Sequence, residues 1–178
     1  MKWKNKACDT SIFYITATIT DWQPLFVHEK TRRILLEDFN FYKHKYAAKI
    51  LAYVIMPEHY HLIIDLGMAN LLHKWLADIQ RHTATQLSKW LRETAHPAHL
   101  IIYERHADKD AKLAVWKEQA RAVGIFSKNV LKAKIEYIHA NPVRRGLVEN
   151  PADWLWSSWR SYYLEDDSVL YVDKVEIL

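Results

Sequence analysis

The sequence predicts an α+β fold, in which a ferredoxin-like antiparallel sheet carries helices packed mainly on one face. Three observations lead to this prediction. Short β-branched and aromatic runs alternate with longer segments of helical periodicity, in the order β-α-β-β-α-β-α. Two apolar runs are joined only by Pro57-Glu58, which makes them antiparallel neighbours. No linker divides the 178 residues, so we expect one domain over residues 1–178.

The first half of the chain supplies three strands and one helix. Residues 11–20 are β-branched and aromatic and predict the first strand. Residues 21–24 form a turn, and apolar residues at helical spacing then predict a helix over 31–49. The runs 50–56 and 59–66 predict the second and third strands.

A second helix is expected over 71–93, with Asn70 as its N-cap. The stretch 95–125 has the weakest pattern. Within it, residues 100–103 and 113–116 predict short strands around a polar loop.

The third helix is predicted over 128–140, because Ser127 is a suitable N-cap and Pro142 disfavours helical geometry in the residue before it. Residues 146–178 are expected to wrap back on the core as a C-terminal segment. Three tryptophans are expected to anchor this segment: Trp154, Trp156 and Trp159.

Composition and cysteine usage favour a cytoplasmic protein. The apolar runs are far shorter than the roughly 20 residues of a membrane span, so no membrane partner is expected. Residues 1–6 are basic, but no apolar stretch with a cleavage site follows them, which argues against a secretory signal. Cys8 stands alone and can form neither an internal disulfide nor a cysteine-rich zinc site.

Charge and aromatic content indicate an anionic partner such as nucleic acid. The net charge is +4 and the isoelectric point is near 9.0. Eight Trp and ten Tyr accompany this charge, and aromatic rings stack on unpaired bases. On composition alone, solvated helix faces around a tryptophan-rich core explain the same numbers better.

His59-Tyr60-His61 begins the third predicted strand. Side chains two positions apart point to the same face of a sheet, so the two imidazoles lie side by side. Such a pair is half of a divalent metal site. With ten histidines in the chain, a chance pair is the competing explanation.

Tyr137 and Asn141 lie four positions apart in the third predicted helix and therefore share one of its faces. The amide oxygen of Asn141 is a possible hard metal ligand beside the phenol. The competing interpretation is a core tyrosine followed by a helix-ending Asn-Pro.

These segments together resemble the REP-associated tyrosine transposases, relatives of the small insertion-sequence transposases that act on single-stranded DNA. Residues 53–63 (YVIMPEHYHLI) resemble the HUH segment of that family, and residues 137–148 (YIHANPVRRGLV) resemble the segment with its nucleophile. Residues 153–158 are similar to the block that follows, and residues 18–26 fit a subgroup. Only residues 95–125 stand outside the resemblance.

The resemblance implies roles for individual residues. His59 and His61 would be metal ligands, Asn141 would complete the site, and Tyr137 would be the nucleophile. The expected metal is Mg²⁺ or Mn²⁺, and Mn²⁺ is compatible with such a ligand set. The middle HUH residue is usually a bulky aliphatic, and we expect Tyr60 at that position to pack in the core.

The implied activity is metal-dependent cleavage and rejoining of single-stranded, hairpin-associated DNA through a covalent 5′-phosphotyrosine intermediate. Candidate contacts to the DNA backbone are Lys132, Lys134, Arg144 and Arg145. The resemblance is compatible with a monomer or a homodimer.

Three alternatives stay open on the sequence alone. The first is a replication initiator or relaxase-like nickase of the same HUH group. The second is a nucleic-acid-binding module on this scaffold that has lost its chemistry. The third is an unrelated metal-dependent hydrolase that uses His59 and His61 with a third ligand such as Asp65, which shares their parity on the strand.

Overall fold

The sheet has four strands, and its topology confirms the predicted fold class. The computed structural model describes residues 10–107 and 113–176, so Cys8 and the basic residues 1–6 lie outside the described residues. The strands follow the order β2-β3-β1-β4, and all neighbours are antiparallel. This order is the ferredoxin-like arrangement. The strands are β1 (Ile12–Thr18), β2 (Lys49–Ile55), β3 (His59–Asp65) and β4 (Arg121–Gly124).

Within the described residues, five α-helices and four short 3₁₀ turns accompany the sheet. The α-helices are α1 (Glu29–Lys45), α2 (Leu72–Thr94), α3 (Pro97–Arg105), α4 (Lys128–Arg144) and α5 (Trp159–Tyr163). The 3₁₀ turns are Thr20–Trp22, Leu25–Val27, Ala69–Leu71 and Pro151–Asp153. None of the helices described reaches the length and apolarity that a membrane span requires.

Both strands predicted within 95–125 are wrong. Residues 100–103 lie in α3, where Tyr103 is buried and Ile101 is about half exposed, so one helical face generates the apolar run. Residues 113–116 form an irregular segment, which is joined to Ile19 by an isolated β-bridge at Trp116 and forms no strand. The actual strand is β4, a short, half-exposed edge strand with no apolar pattern to reveal it.

The helix ends also differ from the prediction at three places. The first helix was predicted over 31–49 but ends at Lys45, and Lys49 is the first residue of β2. Asn70 lies in a 3₁₀ turn, and Leu71 occupies the N-cap of α2 without any side-chain cap. Pro142 lies inside α4, which continues to Arg144. The helix ends there because Gly146 has a positive φ of 66° and its N–H bonds the Val143 carbonyl. The N-cap at Ser127 is confirmed, since its side chain accepts a hydrogen bond from the Val130 N–H.

Strand alternation divides the buried apolar residues into two layers. The α1 and α2 helices cover one face, where Tyr60 packs against Phe39 and Trp116 with ring centroids 5.1 and 5.8 Å apart. The expected core packing of Tyr60 is therefore correct. The α4 helix covers part of the opposite face through Ile135 and Ile138. The odd-numbered side chains of β3 face this second layer.

The C-terminal segment runs along the outer edge of β2. The Trp154 indole donates to the Ile55 carbonyl at 3.1 Å, and the Tyr162 hydroxyl donates to the Leu51 carbonyl at 2.9 Å. Further along, the Asp173 N–H bonds the Ile50 carbonyl at 2.8 Å. Arg32 lies over the ring of Trp156 at 4.2 Å. These contacts tie the segment to the strand that precedes the histidine pair.

Candidate active site

His59 and His61 lie side by side on β3 beneath α4. Their ring centroids are 4.8 Å apart, and both residues are buried, with 6% and 7% of their surfaces exposed. This arrangement follows from strand geometry, because alternate residues share a face. The pair therefore occupies the boundary between the sheet and the second apolar layer.

The ring of His61 is held from β1. Its Nδ1 atom lies 2.8 Å from the Tyr14 hydroxyl and 2.8 Å from the Thr16 hydroxyl. Thr16 is the direct cross-strand partner of His61. Burial, followed by repulsion from His59 and Lys134, lowers the pKa of His61 to about 3. The imidazole is therefore neutral at physiological pH.

The ring of His59 is held by Glu58. The Glu58 carboxylate lies 3.1 Å from the His59 Nδ1 atom and also accepts from the Arg145 guanidinium at 2.9 Å. Burial lowers the pKa of His59 despite the neighbouring carboxylate. Because a carboxylate only accepts hydrogen bonds, the neutral ring carries its proton on Nδ1 and leaves a lone pair on Nε2.

The α4 helix brings Tyr137 beside His61, and Asn141 lies one helical turn further along the same helix. The rings of Tyr137 and His61 lie 5.7 Å apart between centroids, and the phenol is 36% exposed. Tyr14 approaches Tyr137 edge-on at 6.4 Å. Asn141 is only 5% exposed, and its Nδ2 atom is buried without a hydrogen-bond partner among the described residues. The two side chains share a helical face, as their spacing predicts.

The residues present fit a divalent metal. In each histidine Nδ1 is engaged by a neighbouring side chain, and no described residue hydrogen-bonds to either Nε2. Metal-ligating histidines usually have this arrangement. The orphaned amide of Asn141 is a further indication, since an amide turned by 180° would present its oxygen. Within the described ranges, no group of three His, Cys, Asp or Glu side chains is placed to hold a metal.

Asp65 does not join this site. It lies at the opposite end of β3, paired with Ile12 and Lys49, and its carboxylate accepts from the Gly67 N–H at 2.9 Å. Asp65 lies on the same face of the strand as the histidines, but it is four residues beyond His61. At the usual rise of a strand, the two Cα atoms are roughly 13 Å apart. The alternative of a hydrolase with Asp65 as third ligand is therefore wrong.

The four predicted DNA-contacting cations have different surroundings. The Lys134 ammonium lies over the ring of Tyr14 at 4.5 Å and over that of Tyr137 at 5.7 Å. The Arg144 guanidinium lies 5.1 Å from the Tyr137 ring. Arg145 is paired with Glu58 instead, and Lys132 is exposed and takes part in none of these contacts.

Sequence reasoning missed the residues that hold the histidines. Tyr14 and Thr16 share strand parity, but only the order of the strands reveals that they face His61. The link between Glu58 and Arg145 joins distant segments and leaves no local pattern. Trp22 was also missed, although its ring meets that of His59 edge-on at 6.2 Å.

Comparison with solved structures identifies the fold. No family model matches the chain. No curated protein matches it. A REP-associated tyrosine transposase solved bound to a REP hairpin aligns with a TM-score of 0.67 and 16% identity, over 99% of this chain and 92% of that one. A candidate transposase from Deinococcus radiodurans R1 aligns with a TM-score of 0.48 and 11% identity, over 78% of this chain and 95% of that one. The chain therefore has the fold of a REP-associated tyrosine transposase.

Proposed function

We propose that this protein cleaves and rejoins single-stranded, hairpin-associated DNA, with Tyr137 as the nucleophile. The observation that supports this best is the meeting of Tyr137 with His61 across the gap between α4 and β3, at 5.7 Å between ring centroids. The phenol is partly exposed, whereas the two imidazoles beside it are buried and neutral. A partly exposed phenol thus lies beside an imidazole pair whose Nε2 atoms have no hydrogen-bond partner among the described residues.

The chemistry uses the phenol to exchange one ester for another. The Tyr137 oxygen forms a bond to phosphorus, and the bond from phosphorus to the 3′ oxygen breaks. The phenol loses its proton, and the leaving 3′ oxygen gains one and becomes the free 3′ hydroxyl. The 5′-phosphotyrosine keeps the energy of the ester bond, so rejoining by a 3′ hydroxyl requires no ATP.

His59, His61 and Asn141 are the residues that would hold Mg²⁺ or Mn²⁺. Such an ion, when bound, offsets the negative charge of the scissile phosphate. Glu58, Tyr14 and Thr16 fix the orientation of the histidine rings through hydrogen bonds to Nδ1. Lys134 and Arg144 flank the phenol and supply further positive charge for the phosphate.

Tyr137 is a better nucleophile in this site than its neighbour Tyr14. Burial raises the pKa of Tyr14 to about 12, and the hydroxyl is engaged with His61. Tyr14 therefore serves to position the ring of His61. This division of roles predicts that the covalent link forms on only one of the two tyrosines.

The activity can be tested by incubating the protein with a labelled single-stranded hairpin oligonucleotide and Mn²⁺. We expect an adduct that survives SDS, requires metal, and is absent from Tyr137→Phe. Tyr171→Phe is the matched control, because Tyr171 is 57% exposed and lies on the C-terminal segment away from the site. Binding without cleavage would support the non-catalytic module, and a soluble product without an adduct would support a hydrolase.

A further inference from the structure

The most exposed tryptophan described lies beside the candidate active site. Trp22 is 54% exposed, whereas the other tryptophans in the described ranges are buried or half-buried. Its ring meets His59 edge-on at 6.2 Å between centroids. Exposing an indole to water is unfavourable, so its position at the edge of a reactive site indicates a partner.

The turn that carries Trp22 is held in a strained conformation. Asp21 and Trp22 have φ angles of 49° and 55°, in the left-handed region that non-glycine residues rarely adopt. The Asp21 carboxylate is 3.0 Å from the His106 ring, which anchors the turn to the end of α3. On the other side, the Ile19 N–H bonds the Glu58 carbonyl at 2.8 Å, next to His59. The indole is therefore fixed relative to the histidines and is not a loose surface side chain.

A cation accompanies the ring. The Lys117 ammonium lies over Trp22 at 5.3 Å from the ring centroid, and Lys117 is itself exposed. The Lys117 N–H bonds the Thr18 carbonyl at 2.9 Å, so its backbone is attached to the end of β1. An aromatic face with an adjacent ammonium matches the two parts of a single-stranded nucleotide, which are a flat base and an anionic phosphate.

We propose that Trp22 and Lys117 form a binding subsite for an unpaired nucleotide next to the cleaved phosphate, in which the base stacks on the indole and displaces the ammonium, which then pairs with the phosphate. This subsite rests on the proposed function, because it assumes a DNA strand passing the histidines. It also gives a role to the segment around residue 117, which stands outside the family resemblance. The subsite lies on the His59 side of the pair, whereas Tyr137 contacts His61.

The test separates binding from cleavage by working in EDTA. A hairpin oligonucleotide with single-stranded extensions carries 2-aminopurine at one unpaired position at a time, and affinity is measured by fluorescence anisotropy. We expect the protein to quench one position, and Trp22→Ala to abolish that quenching and weaken binding about tenfold. Trp22→Phe should stay within about threefold, since a smaller ring still stacks. Phe41→Ala is the matched control, because Phe41 is 60% exposed on α1 and should leave binding unchanged.

Lys117→Gln provides a second, independent readout should Trp22→Ala disturb the turn. We expect it to reduce the slope of log affinity against log salt by about one. The subsite would be refuted if Trp22→Ala left the quenching and the affinity unchanged, or if Lys117→Gln left the salt dependence of the affinity unchanged. Neither result would affect the proposed cleavage. Failure of the unmodified protein to bind any single-stranded oligonucleotide would overturn both.

Discussion

Replacing Ser158 by Ala should destabilise the protein strongly, because the Ser158 hydroxyl joins three elements. It accepts from the Tyr53 N–H at 3.0 Å, donates to the Tyr53 carbonyl at 3.2 Å, and lies 2.9 Å from the His139 Nε2 atom. Ser158 has no exposed surface. Burial lowers the pKa of His139 to about 4, so the ring is neutral. Because the Ser158 hydroxyl gives its proton to the Tyr53 carbonyl, we assign the tautomer in which the His139 Nε2–H donates to the hydroxyl.

The size of the effect follows from the groups that Ser158→Ala leaves behind. Two buried donors, the Tyr53 N–H and the His139 Nε2–H, lose their acceptor, and each unsatisfied group costs about 1–3 kcal/mol. We therefore expect the free energy of unfolding to fall by about 3 kcal/mol. With a urea slope of about 2 kcal/mol per molar, the midpoint should fall by about 1.5 M.

Urea denaturation followed by far-ultraviolet circular dichroism measures this change. Ser157→Ala is the matched control, since Ser157 is also buried but its hydroxyl accepts only from the Trp159 N–H, at 3.1 Å. We expect the control to lose about 1 kcal/mol, at the lower end of that range, because it leaves a single donor behind and Trp159 is only half-buried. Equal losses in the two variants would refute the reasoning, because they would show that the bridge from β2 to α4 contributes nothing of its own.

Two further predictions concern metal binding and acid stability. Glu58→Gln removes the charge that orients His59, so we expect the Mn²⁺ affinity to fall about tenfold in calorimetric titration, and an unchanged affinity would contradict that role. Hydrogen bonds from Lys45 and Tyr46, each at 2.7 Å, hold the pKa of Asp78 at about 2, below its ordinary value of 3.8. Because the folded pKa is the lower one, this stabilisation is present above pH 3.8 and is lost as the pH falls towards 2. We therefore expect the free energy of unfolding of Asp78→Asn to be about 1 kcal/mol lower than that of the unmodified protein at pH 7, and this difference to be smaller at pH 2. Urea denaturation at the two pH values measures the difference, and the same difference at both would contradict this.

Local periodicity was sufficient to predict the chemical groups of the site. Parity along β3 placed the two histidines on one face, and helical spacing placed Tyr137 and Asn141 together. That Tyr137 lies beside His61 depends on the packing of α4 against β2 and β3, which only the resemblance to known transposases suggested. The partners of the histidine rings lie on neighbouring elements, as Thr16 does opposite His61, and no local pattern encodes such a neighbour.

The incorrect predictions also arise from contacts between elements, which a local sequence pattern does not show. Residues 100–103 have the composition of a strand, but they lie in α3, with Tyr103 on its buried face and Ile101 exposed. The β4 strand contains an arginine and a glycine and owes its conformation to pairing with β1. Pro142 was expected to end α4, yet its buried position in the last turn keeps it within the helix.

The identity of the tyrosine that becomes linked to DNA tests the central proposal most directly. The adduct formed with a single-stranded hairpin oligonucleotide and Mn²⁺ can be digested with protease and nuclease, and the nucleotide-bearing peptide identified by mass spectrometry. We expect a 5′-linked phosphonucleotide on Tyr137, with Tyr14 unmodified although its ring lies only 6.4 Å away. A nucleotide on Tyr14, or on any residue other than Tyr137, would contradict the assignment of α4 as the helix that supplies the nucleophile.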